Sequence, residues 1–297
     1  MTAYMEHKDL ANEIIDDARR RQITDGVKRL FDRVAAAEAE AGREPGSVRV
    51  LAATKTRDVG EILAAIDAGI RMIGENRPQE VTAKTAGLAA RLAERGFTLG
   101  ACEMDGVDRK DDATVSAAMV GAAGAAGGAG EAGSSMHIPF HLIGQLQSNK
   151  IGKVLPAVDA IESVDSIELA ERISRRAVAR GITVGVLLEV NESGEESKSG
   201  CQPSHAIDLA QRIGAMGGLE LQGLMTIGAH VDDERVIREG FAHLRRTRDQ
   251  ILASGAEGTA HCTELSMGMT QDMPFAIAEG STIVRVGTAI FGARDFI

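Results

Sequence analysis

The chain has 297 residues, 44% of them hydrophobic, a formal net charge of −10 and an isoelectric point near 5.3. That balance argues against nucleic acid and anionic membranes as partners, and three Cys without C-x-x-C spacing indicate neither a disulfide framework nor a zinc site. The first residues hold no apolar run, and nothing approaches the roughly 18 apolar residues of a membrane helix, so a cytoplasmic protein is expected.

Residues 8–41 read as a helix with Ile23, Val27, Leu30, Phe31 and Val34 as its apolar stripe, ended by Gly42, Pro45 and Gly46. Its expected role is packing. Residues 48–56 (VRVLAATKT) read as a strand in which Arg49, Leu51, Ala53 and Lys55 share one face. Helical spacing follows over 59–68, then a short apolar segment over 70–74 running into Gly74-Glu75-Asn76, then a helix over 78–95 with Pro78 in its first turn. Residues 101–137 break the pattern. Gly and Ala dominate 121–133, and an exposed, disordered insert is expected there.

The pattern then resumes. Strands are expected at 140–143, 160–164, 183–190, 219–226, 261–265 and 282–286. Helices are expected at 148–155, 166–179, 205–213, 233–252 and 270–279, with Asp165 and Glu168 forming a capping-box-like start. Eight strands alternating with helices predict an α/β fold, a single (β/α)8 TIM barrel with an N-terminal helix, forming one domain over 1–297. An open doubly wound sheet fits less well, because no G-x-G-x-x-G follows the first strand.

Several polar segments fall at the ends of these strands, where barrel active sites lie. Lys55 ends the first strand above the small Ala53, and a desolvated amine there is a usable Schiff-base nucleophile. Asn76 is on the loop after the second strand. Gln145-Leu146-Gln147-Ser148-Asn149-Lys150 follows the third, and 191–198 is a charged turn after the fifth. Ser266-Met267-Gly268 follows the seventh strand, and Gly287-Thr288 closes the eighth. Small and hydroxyl residues after strands seven and eight are what a barrel phosphate site needs. Arg285 shares a face with Ile283 and Gly287, so if Gly287 approaches a ligand Arg285 points inside the barrel; the alternative is an Arg simply paired with a barrel carboxylate such as Glu189 or Glu264. Read alone, each segment is also ordinary turn chemistry: Gly at a turn, Ser at a cap, Asn satisfying backbone, Met as core filler. The seven His include no pair at i, i+4 spacing on an expected helix, so no metal is expected. Taken together, an amine, a phosphate loop and an inward guanidinium at one mouth match the demands of pyridoxal 5'-phosphate (PLP), with its aldehyde, phosphate and ring nitrogen.

The segments LAATKT, GEN at Gly74–Asn76, FHLIGQLQSNK, VNESGEESKSG, GLMTI, LSMGMTQD and IVRVGTAIFGAR also carry a resemblance. Across 48–294 the chain resembles the pyridoxal phosphate homeostasis protein family. The resemblance implies a single barrel similar to the N-terminal domain of alanine racemase. It further implies a PLP-binding function in cofactor homeostasis, with PLP held as a Lys55 Schiff base. By the same resemblance Asn76, Ser266, Gly287 and Thr288 join the cofactor site, and Arg285 faces the pyridine nitrogen. Members are regarded as carriers with no established reaction, so no catalytic residue is expected, and the recipient apo-enzymes stay unknown. Thr54 and Thr270 stand where Ser is usual, and the Gly/Ala insert is additional. A PLP-dependent racemase and a Schiff-base aldolase on a phosphorylated sugar remain as alternatives. The usual second racemase base is a Tyr from another domain, and the one Tyr here is Tyr4.

Overall fold

The computed structural model describes residues 9–101, 136–195 and 198–293. Its strands are β1 (Arg49–Ala53), β2 (Ile73–Glu75), β3 (Phe97–Leu99), β4 (Met136–Ile138), β5 (Phe140–Leu142), β6 (Ala160–Val164), β7 (Val184–Glu189), β8 (Leu219–Met225), β9 (Glu264–Ser266) and β10 (Ile283–Val286). Eight of them close a parallel barrel in the order β1-β2-β5-β6-β7-β8-β9-β10, with β10 hydrogen-bonded back to β1. This is the expected (β/α)8 barrel. Its helices are α1 (Asp17–Glu40), α2 (Val59–Asp67), α3 (Pro78–Ala93), α4 (Ile151–Val154), α5 (Ile167–Arg180), α6 (Ala206–Gly214), α7 (Glu234–Ala253), α8 (Met273–Ala278) and α9 (Thr288–Phe291).

Two cores hold it. Leu51, Met72, Ile143 and Ile283 fill the barrel interior, and a larger shell of aliphatic side chains lies between strands and helices. On α1, Ile23, Val27, Leu30 and Val34 are buried as the spacing predicts, each contributing about 1.5–3 kcal/mol. Phe31 differs. It is 38% exposed and packs against Gly69, because it lies off the buried stripe. Gly26 lets α1 approach α9 closely, since a Cβ there would lie 2.4 Å from the Ile290 carbonyl oxygen.

Other elements differ in detail. The segment at 148–155 is a 3₁₀ turn (Ser148–Lys150) followed by the single turn of α4. The Asp165/Glu168 box does not form. Ser166 is the N-cap of α5, and its hydroxyl instead donates to Asp165. A true capping box closes the start of α2, where Asp58 accepts the Glu61 N–H and Glu61 accepts the Asp58 N–H. Leu10 and Asn12 strap this same turn, their carbonyls accepting the N–H groups of Val59 and Gly60. The expected insert falls largely on 102–135, outside the described residues. Its last residues, Met136 and His137, belong to β4, which pairs in parallel with β3 outside the barrel. Pro139 lacks an N–H and divides β4 from β5, so one extended segment serves two sheets.

Candidate functional site

The C-terminal rim of the barrel is built where β1 and β10 run side by side. Their register pairs Leu51 with Arg285 and Ala52 with Val286. One step further, a Cβ on Gly287 would lie 3.0 Å from the Ala53 carbonyl oxygen, so only Gly lets the two strand ends sit this close. This brings the Lys55 turn beside Gly287 and the exposed Thr288, where α9 starts and its first N–H groups have no intrahelical partner. Lys55 itself is half-buried. Gly74, on the next strand, opens space above Leu51, because a Cβ there would meet Leu51 Cδ2 at 2.6 Å. Asn76 is half-buried on the following loop, its backbone packed on Gly144 at the head of the Gln145–Lys150 segment.

Beneath this rim lies a buried polar network. Arg285 Nη1 donates to the Ser266 carbonyl (2.6 Å) and to Ser266 Oγ (2.7 Å), and Nη2 donates to the Thr226 carbonyl (2.7 Å). Ser266 Oγ donates to Glu162 Oε2 (2.5 Å), and Glu162 Oε1 is bonded to His141 Nδ1 (2.7 Å). Glu162 lies 4.0 Å from Arg285. Burial would push the Glu162 carboxyl up, but His141, Arg285 and Ser266 outweigh it and leave it below its ordinary value. Glu189 has no such bonds. Burial and the Asp165 charge raise it to about 7, against the pull of Arg285. Burial lowers Arg285 itself, opposed by Glu162, Glu189 and Asp272. His141 Nε2 is buried with no partner.

Arg285 therefore points inward as expected. The carboxylate nearest it is Glu162, and Glu264 pairs instead with Arg49 at 2.6 Å on the opposite end of the barrel. Lys55, Gly287, Thr288 and Arg285 lie on adjoining strand ends. Ser266 joins them through Arg285, its hydroxyl held inside the network rather than at the rim. His141 and Glu162 were not singled out in the sequence. The signal was there: a His and a Glu inside the otherwise apolar strand runs FHLI and AIESV. A cavity of about 320 Å³ lies nearby, lined by Gln145, Ser148, Ser163, Asp165 and Arg172, and none of the six expected cofactor residues reaches it. Among the described residues no cluster of His, Cys, Asp or Glu is suited to hold a metal ion, and no helix is long and apolar enough to cross a membrane.

With this geometry in view, comparison places the chain. The family model for the N-terminal domain of alanine racemase matches residues 28–295. A pyridoxal phosphate homeostasis protein of Vibrio cholerae is 33% identical over 93% of this chain and 98% of its own. Its counterpart in Escherichia coli is 32% identical over 92% and 97%. A crystal structure of an unknown protein from Bifidobacterium adolescentis is 72% identical, with a TM-score of 0.83 over 96% of this chain and all of its own. PipY of Synechococcus elongatus, solved with PLP bound, is 28% identical, with a TM-score of 0.61 over 87% of this chain and all of its own. An inward-held guanidinium, a lysine turn and a glycine-led helix start on adjoining strands thus belong to a chain that is a member of the pyridoxal phosphate homeostasis protein family, within the alanine racemase N-terminal-domain fold.

Proposed function

We propose that this protein binds PLP in the cytoplasm and holds it reversibly for cofactor homeostasis, with Lys55 as the covalent attachment point. One observation carries the reading: the register of β1 and β10 sets the Lys55 turn, the Gly287-Thr288 helix start and the buried Arg285 on neighbouring strand ends. When bound, PLP supplies an aldehyde that a lysine amine captures by condensation with loss of one water.

The residues suit such a group. Gly287 and Thr288 offer backbone N–H groups at a helix start and a hydroxyl to a phosphate. Arg285 is fixed by Ser266 and Thr226 and offers a permanent charge to a neutral ring nitrogen. Ser266 serves the site by holding that guanidinium, Asn76 borders it from the loop after β2, and His141 Nε2 is a buried polar atom still able to take a partner. PLP in the related PipY structure supports the same reading.

The test uses the full chain incubated with PLP, reduced with borohydride and mapped by peptide. The cofactor is expected on Lys55, and Lys55→Ala should abolish it without changing the melting temperature. Fixation on a different lysine would sink the proposal.

A further inference from the structure

Behind the Lys55 turn, between the barrel and α3, lies a second buried ion cluster. Lys84 is fully buried, and its ammonium donates to the Thr54 carbonyl (3.0 Å), Glu75 Oε1 (2.7 Å) and Glu80 Oε2 (2.9 Å). That accounts for all three of its hydrogens. Glu75 points outward because Gly74, one residue earlier, faces the barrel interior. Glu80 and Lys84 are four residues apart on α3, so they share a face. Burial pushes Glu75 up to about 7, and Lys84 with the Thr56 N–H holds Glu80 low against its own burial.

The cluster also grips the chain on both sides of Lys55. Thr54 Oγ1 donates to Glu75 Oε1 (2.6 Å), in addition to the bond its carbonyl accepts from Lys84. Thr56 N–H donates to Glu80 Oε2 (2.7 Å). Thr56 has φ +66°, the one positive φ of any non-glycine residue among those described. A β-branched residue rarely adopts that conformation, and it persists where its surroundings impose it. Aliphatic side chains would pack α3 onto the sheet without the desolvation cost of three buried charges. They would not hydrogen-bond the Thr54 carbonyl or the Thr56 N–H.

We propose that Lys84, Glu75 and Glu80 are positioning residues that hold Thr54 and Thr56 so that the Lys55 amine stays directed at the mouth, and that they set the rate and strength of cofactor capture. This rests on Lys55 being the attachment point, as proposed above. Lys84 takes no cofactor itself.

The test uses the full-length protein with PLP as the probe. Glu80→Ala leaves the Lys84–Glu75 pair in place, so it is the variant to compare. Capture is followed by stopped-flow visible absorbance and release by dilution. Glu80→Ala is expected to slow capture about tenfold or more and to hasten release. Adding Thr56→Gly should restore much of the rate, because Gly adopts φ +66° without a clamp. A bolt for α3 alone would lower the melting temperature and leave both rates alone. A folded Glu80→Ala protein that captures and releases PLP within twofold of wild type overturns the proposal. Should that variant not fold, hydrogen exchange of the unmodified protein decides. The Thr56 amide should be protected like a core amide, and exchange at the speed of exposed loop amides overturns the proposal. Borohydride mapping of the wild type reports separately on Lys55. Cofactor fixed elsewhere sinks the attachment reading and leaves the Thr56 clamp to be judged by exchange.

Discussion

Glu189 shows how a single buried carboxyl sets the response of the fold to pH. A carboxyl raised from 4.5 to about 7 binds a proton in the folded state that the unfolded chain has already lost. Stability therefore falls as pH rises from about 4.5 to about 7, by about 3 kcal/mol for Glu189 once the change is complete. In the cofactor-free protein Glu189→Gln should match wild type near pH 5 and exceed it near pH 8, read as urea midpoints at both values. Equal midpoints at both would show that Glu189 titrates normally. Glu75 adds a second contribution of the same sign, so the variant flattens the profile without levelling it. Lys84→Met should cost about 3–5 kcal/mol, because it strands two buried carboxylates. Lys55, Arg285 and Gly287 were legible because each stands at a strand end with a local reason to be there. The Ser266–Glu162 bond spans 104 residues and the Lys84–Thr54 bond spans 30. No local spacing announces either of them.

At the scale of elements, periodicity located all eight barrel strands and most of their helices to within a few residues, since apolar spacing reports burial directly. It started β9 three residues early, at 261 against Glu264–Ser266, because the preceding turn also carries a buried Cys262 and Thr259. It also gave no sign of β3 and β4. Each has three residues, and they pair with each other rather than with the barrel. Their parallel pairing has a consequence for engineering: the joining chain must run back along the strands, so it cannot shrink to a hairpin. Deleting residues 105–134 leaves six residues, 100–104 and 135, between Leu99 and Met136. That is short of the dozen or more residues a parallel crossover takes, so the β3–β4 pairing is expected to open in this variant. β2 bonds directly to β5, so the barrel does not depend on the deleted stretch. The shortened protein is expected to melt cooperatively and to take up PLP as the full chain does. A folded deletion variant without cofactor absorbance would tie that stretch to the site.

The whole molecule has the fold of the alanine racemase N-terminal domain. Fold alone carries no activity. We expect solvent deuterium to enter the α-position of L-alanine far more slowly than about 10 per second, the pace of an ordinary enzyme. In the proposed site the Arg285 guanidinium would face the ring nitrogen and keep it from taking a proton, and an unprotonated ring withdraws electrons poorly. Exchange at enzyme-like rates would make the protein a catalyst. The seam between β1 and β10 has a kinetic meaning as well. It joins Arg49 to Ile283, a separation of 283 − 49 = 234 residues, while β5, β6, β7 and β8 each pair with a strand near in sequence. Contacts so far apart form late, because the entropy of closing the long loop is lost before any bond repays it. Chains refolding from urea should thus regain helical ellipticity first and become competent to take up the vitamin-derived ligand only afterwards, with a lag set by the last stave entering the cask.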